Sequence, residues 1–147
     1  MIRRGNINDL EHIVTLLTEL HDASDEAYIP INQVESRSLF LNMMISKASA
    51  VIVSENDGVL DGVMLCVTDS FFYNSKRKVA TDLATYAKKP GVGAGLIKAF
   101  IKWATDKKVD RIMLGTSSNL DPERVDRLYL RVGLTKIGGL YSMKGKS

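Results

Sequence analysis

Three glycines at alternate positions, Gly91, Gly93 and Gly95, are the residues of this sequence best placed to do chemistry. They follow the lysine pair Lys88-Lys89 and Pro90, and they precede Leu96, Ile97, Phe100, Ile101 and Ala104, which recur at helical spacing. The run before them, from Val79 to Tyr86, reads as a strand, so the order is strand, glycine turn, helix. The first amides of a helix have no internal acceptor, and glycine leaves no Cβ to hold a ligand off the backbone. Such a turn suits an anion, phosphate above all. Lys88, Lys89, Lys98 and Lys102 add positive charge around it.

The spacing sorts among phosphate sites. A P-loop needs Gly-x-x-x-x-Gly-Lys-Ser/Thr, but five places after Gly91 stands Leu96, and no Lys-Ser/Thr pair follows. A dinucleotide turn needs Gly-x-Gly-x-x-Gly; here the third glycine, Gly95, comes one place early, and the acid Asp110 precedes the next strand instead of ending it. The lone cysteine, Cys66, lies in the apolar run Val63–Val67 and reads as a core thiol. It excludes an intramolecular disulfide and a cysteine-based metal cluster.

The elements that must position this turn can be read in order. Met1–Arg4 reads as an edge strand. Asn8 or Asp9 caps a helix with the stripe Leu10, Ile13, Val14, Leu17 and Leu20. His21–Asn32 is a polar loop, and Gln33–Lys47 a second helix with Leu39, Met43 and Met44 as apolar positions, the methionines as core filler. Ala50–Ser54 and Leu60–Thr68 are strands of a hairpin closed by Asn56-Asp57-Gly58. Asp69–Lys78, with Phe71, Phe72 and Tyr73, reads as a loop. The helix after the glycine turn ends near Lys107, and Arg111–Gly115 is a short strand. Asp121-Pro122 opens a last helix that stops at Gly133. Leu134–Ile137 and Tyr141–Lys144 read as closing strands around Gly138-Gly139. The pattern predicts an α/β (α+β) domain spanning 1–147, with a mixed, mostly antiparallel sheet of about six to seven strands and about four helices on its two faces.

Composition narrows the function. The chain has 147 residues, enough for one domain with its own core, and a net charge of +3. That charge is too mild to imply nucleic acid and fits an anionic small ligand. No apolar stretch approaches the roughly 20 residues of a membrane span, and MIRRGNINDL lacks a signal-peptide core. The expectation is a soluble, cytoplasmic protein without a membrane partner.

Lys88-Lys89-Pro90-Gly91-Val92-Gly93-Ala94 resembles the Arg/Gln-x-x-Gly-x-Gly/Ala motif of the GCN5-related N-acetyltransferase (GNAT) family. Ile2–Asp9 with the helix after it looks like that family's opening strand and helix. Leu128-Tyr129-Leu130-Arg131-Val132-Gly133-Leu134 is similar to its late Leu-Tyr-x-x-x-Gly-Phe motif, and Ile137-Gly138 with Tyr141–Lys144 look like its last strands. The likeness covers essentially the whole chain. It departs from the pattern in three places: Lys88 replaces Arg or Gln, the segment Leu83–Lys88 is about two residues short and lacks a proline, and an asparagine position falls on Pro122, with Asn119 nearby and out of register.

The resemblance implies acetyl transfer from acetyl-coenzyme A, a cosubstrate, to a primary amine of a small molecule or protein, by direct attack through a tetrahedral intermediate and with no metal. It implies that Leu83, Ala84 and Thr85 meet the pantetheine arm. Gly91, Val92, Gly93 and Ala94, with Lys88, Lys89 and Asn119, would hold the phosphates. Tyr129 becomes the acid for the leaving thiolate, and Asp82 the water-mediated base, with Glu26, His21 and Asp69 as alternatives. The oxyanion falls to a backbone N–H at the strand's splayed end. Two other readings stand beside this one: the same fold used as a catalytically weak or inactive module that binds coenzyme A or a protein, and another phosphate-ligand binder. A homodimer is open.

Overall fold

The computed structural model describes residues 1–115 and 121–145. Its sheet follows chain order: β1 (Ile2–Arg4), β2 (Ser49–Asn56), β3 (Val59–Phe71), β4 (Asn74–Ala87) and β5 (Arg111–Ile112). The first four pair antiparallel, and β5 lies parallel to β4. The helices are α1 (Leu10–Ala23), α2 (Gln33–Ile45), α3 (Val92–Asp106) and α4 (Pro122–Arg131). None is long and apolar enough to cross a membrane.

Strand alternation splits the core into two layers. Val51, Val53, Val63 and Leu65 face α1 and α2, where Ile13, Leu16, Phe40 and Met43 meet them. Ala50, Ile52, Met64, Cys66 and Ala80 face α3, against Leu96, Phe100, Trp103 and Ala104. Helices therefore cover both faces, as the pattern predicts. Cys66 is fully buried, and burial first, then the charge of Asp82, pushes its thiol up to about 12. It packs as a small apolar side chain.

The local signals explain most element ends. Asp57 and Gly58 both have positive φ, 53° and 77°, the geometry of a tight hairpin turn. Asp9 stands at the N-cap position of α1, as expected, but makes no side-chain cap bond there. The capping box belongs to the short 3-10 turn before it: the Asn6 side chain accepts the Asn8 N–H, while Asp9 reaches back to the Asn6 N–H at 2.8 Å. Arg3 clamps Asp9 at 2.7 Å and Glu55 at 2.6 Å. That hydrogen bond outweighs burial and holds the Asp9 carboxyl below its ordinary range. α1 runs past His21 to Ala23, so the expected loop starts later. α2 ends at Ile45, two residues before Lys47, because Ser46 turns extended. Phe40 and Met43 carry its core face, and Leu39 is exposed.

Three expectations about the sheet fail. Asp69–Lys78 is not a loop: β3 and β4 both run on through it and meet at Phe72-Tyr73. The irregular pairing there is met by polar side chains, with Asp69 accepting the Ser70 N–H and Asn74 the Lys76 N–H. The strand Arg111–Gly115 is shorter than expected, covering only Arg111–Ile112. Leu134–Ile137 and Tyr141–Lys144 form no strands, so the described sheet has five strands where six to seven were expected. Gly138-Gly139 makes an extended pair entropically costly there, and β5 offers an edge of only two residues.

Candidate functional site

The strand before the glycine turn is only half covered. On one side β4 pairs with β3 along its length; on the other, β5 holds it at Val79 and Ala80 alone. Beyond Met113, whose N–H donates to Ala80 O at 2.9 Å, no described residue pairs with that edge. Leu83 sits in a bulge, since Leu65 faces Ala84 while Cys66 faces Asp82. A bulge bends the strand and re-aims its neighbours. The result is a cleft of about 1040 Å³, floored by Thr81–Ala87 and walled by α1, α2 and α4.

At the end of this open edge lies the turn. Gly91 caps α3 with φ 88° and ψ −26°, a left-handed conformation that an L side chain rarely takes. A Cβ there would meet nothing within 4 Å, so the turn faces open space. The Val92 N–H is spent on Lys89 O at 3.3 Å and Gly95 N–H on Gly91 O at 3.2 Å, while Gly93 and Ala94 N–H find no acceptor among the described residues. A left-handed residue followed by helical ones makes successive amides converge on an anion-binding hollow. The residues thus fit a phosphate. Val92 itself serves packing: its Cγ1 lies over Gly62, 2.6 Å from where a Cβ would stand. Gly95 lies against the Ile2 side chain.

Asp82 and Tyr129 both line the cleft. Burial raises the Asp82 carboxyl above its ordinary value, partly offset by the Thr85 hydroxyl, which donates to Asp82 Oδ2 at 2.6 Å. Thr85 therefore uses its side chain within the site. Tyr129 stands on α4, whose end is closed by Gly133 N–H to Leu130 O and Leu134 N–H to Tyr129 O. Its hydroxyl donates to Gly115 O at 2.8 Å. Burial, then the charges of Asp82 and Asp126, push the phenol well above its ordinary value, so it stays protonated. Asp121 precedes α4 as expected, but its carboxylate makes no cap hydrogen bond.

The other expected residues divide. Leu83, Ala84, Thr85, Lys88, Lys89, Gly91, Gly93 and Ala94 line the cleft with the alternatives His21 and Glu26. Asp69, Lys98 and Lys102 do not line it; Lys102 pairs with Asp106 at 3.0 Å on the far side of α3. Asn119 lies outside the described residues. Lys88 and Lys89 point to the protein's own acids, Glu19 at 3.5 Å and the buried Asp61 at 4.0 Å. Sequence reasoning missed Arg124, Arg127 and Arg131, which line the cleft from α4. Their spacing of three and four places was the available signal for one helix face.

No protein-family model matches this sequence, and no curated protein matches it. Solved structures do. One is an aminoglycoside acetyltransferase from an uncultured soil metagenomic sample in complex with trehalose, with TM-score 0.72 and 19% identity, covering 100% of this chain and 95% of that one. Another is an aminoglycoside N-acetyltransferase in complex with coenzyme A, with TM-score 0.71 and 18% identity over 100% of both chains. A third is a transcriptional regulator from Bacillus halodurans, with TM-score 0.74 and 20% identity over 99% of both chains. At these identities the likeness is one of fold.

Proposed function

For a chain with the fold of the GCN5-related N-acetyltransferases, we propose acetyl transfer from acetyl-coenzyme A to a primary amine of a small molecule or protein. One observation carries this reading: a strand edge that no described residue pairs beyond Ala80 runs directly into a helix start where the Gly93 and Ala94 amides have no acceptor among the described residues. An extended arm bearing amides can add to such an edge as a strand does, and a pyrophosphate suits the amides beyond it. Leu83, Ala84 and Thr85 would meet the arm. Gly91, Gly93 and Ala94 would hold the phosphates, with Arg124, Arg127 and Arg131 as further cations. The cosubstrate supplies an activated thioester.

The chain's residues do the proton work. Attack needs a neutral amine, and Asp82, its carboxyl raised by burial, takes that proton directly or through water. Tyr129, protonated at neutral pH, gives a proton to the departing thiolate. This requires its hydroxyl to leave Gly115 O. That existing bond, and the lysines held by Glu19 and Asp61, favour the second reading, a binding module with weak or lost catalysis.

Incubation with acetyl-coenzyme A and a panel of amines, followed by free thiol release, separates the two; no release with any amine removes the enzyme. A thermal melt with coenzyme A tests both, since a ligand at 100 times its dissociation constant stabilises by about 2.7 kcal/mol. No shift at millimolar coenzyme A removes both.

A further inference from the structure

The lysine that opens the glycine turn is engaged elsewhere. Lys88 Nζ lies 3.5 Å from Glu19 Oε2, and the same oxygen accepts the Tyr86 hydroxyl at 3.3 Å. Glu19 projects from α1 between Thr18 and Leu20, which line the cleft, and it meets Tyr86 and Lys88, which line the cleft from the end of β4 and the segment after it. Partial burial, then the Glu19 charge and hydrogen bond, hold the Tyr86 phenol protonated, so it keeps donating to the carboxylate. A carboxylate braced by a phenol is a seat for an ammonium, and the Lys88 side chain shows that a primary ammonium fits there.

Lys88 has a stronger attraction within reach. Its backbone is fixed by the Lys88 N–H to Asp61 O bond of 2.8 Å, three residues before Gly91. A pyrophosphate at the Gly93 and Ala94 amides carries more charge than the half-exposed Glu19, and pairs as exposed as Lys88–Glu19 are weak.

We propose that Glu19 and Tyr86 form an ammonium subsite for the acceptor, filled by Lys88 in the free protein and vacated when coenzyme A phosphates draw Lys88 to the turn. The inference rests on the acetyl-transfer reading. A carboxylate favours the charged form of the nitrogen it holds, so the nitrogen at Glu19 is an anchor and not the attacking amine. The acceptor then has at least two nitrogens, a diamine or polyamine, with the reacting one toward Asp82. The wall agrees in charge: the sequence has no lysine or arginine between Arg4 and Arg37, and Glu26 lines the cleft.

Calorimetric titration of 1,4-diaminobutane and of butylamine, each into free and coenzyme A-saturated protein, tests this. Coenzyme A should raise the affinity for the diamine about three- to tenfold, the size of one such ion pair with its hydrogen bond, with no matching gain for butylamine. Glu19→Gln should abolish the gain. Lys88→Met should give the free protein the affinity that coenzyme A confers on the wild type. If coenzyme A binds but the diamine gain is missing, or persists in Glu19→Gln, the subsite is wrong. If coenzyme A does not bind, the acetyl-transfer reading fails first, and an unchanged diamine affinity in Lys88→Met then overturns the subsite as well.

Discussion

Gly91→Ala isolates the backbone geometry of the turn from everything around it. Gly91 holds φ at 88°, and a Cβ would meet no atom within 4 Å. The methyl group therefore collides with nothing beyond its own and adjacent residues, and the penalty is the local one of the left-handed conformation. A left-handed L residue costs about 1–2 kcal/mol. A chain of this length loses about 2–4 °C in Tm per kcal/mol, so the variant should melt about 2–8 °C lower. If the chain relaxes instead by moving φ negative, the Gly93 and Ala94 amides no longer converge. Either way the coenzyme A-induced rise in Tm should shrink. Differential scanning fluorimetry with and without coenzyme A measures both quantities. Gly91→Asn is the control, since asparagine tolerates this conformation, and it should recover most of the loss. Wild-type melting and an undiminished coenzyme A shift in Gly91→Ala would refute the claim that this torsion builds the anion hollow.

Tyr129→Phe should lower free thiol release about 100-fold, the lower range for a general acid, while the coenzyme A melting shift is retained; unchanged turnover removes Tyr129 from the chemistry. For Asp82 the sign follows from its raised carboxyl. The native state holds this proton more tightly than the unfolded chain, so that stabilisation is complete below the unfolded carboxyl value and lost as pH rises through the native one. Asp82→Asn should therefore melt higher than wild type near pH 7, with the gap closing in acid, and should lose the acid limb of the rate profile. Equal melting at both pH values contradicts the burial argument. Gly62→Ala would set a Cβ 2.6 Å from Val92 Cγ1 and 3.1 Å from Leu96 Cδ1. It should cost about 1–3 kcal/mol in urea unfolding and weaken coenzyme A binding by shifting the start of α3; wild-type stability there would mean that α3 is free to move.

Some features were legible in the sequence because they are carried by neighbouring residues. Asp57-Gly58 closes its turn through its own positive φ values. The α3 stripe needs only the helical period, and the hollow at Gly93 and Ala94 follows from the glycine before them and the unpaired start of a helix. The long β3–β4 hairpin was not legible, because its outer half has polar side chains and is recognisable only by the strand pairing Asp69↔Val79 and Ser70↔Lys78. The closing strands were misread for the converse reason. Ile137, Leu140, Tyr141 and Met143 are apolar enough for strands, yet they stay exposed, with no described strand partner.

The sequence by itself determined that a strand and a glycine turn would lead into a helix start with free amides, because torsions and unmade hydrogen bonds are properties of contiguous residues. Only the tertiary structure decided what surrounds that hollow. It set Asp82 and Tyr129 on one cleft, brought the arginines of α4 to it, and gave Lys88 to Glu19 instead of to the turn. Glu19 and Tyr86 stand 67 residues apart. A charge has no period along the chain, so nothing in the sequence marks which carboxylate will meet which lysine once the sheet has folded.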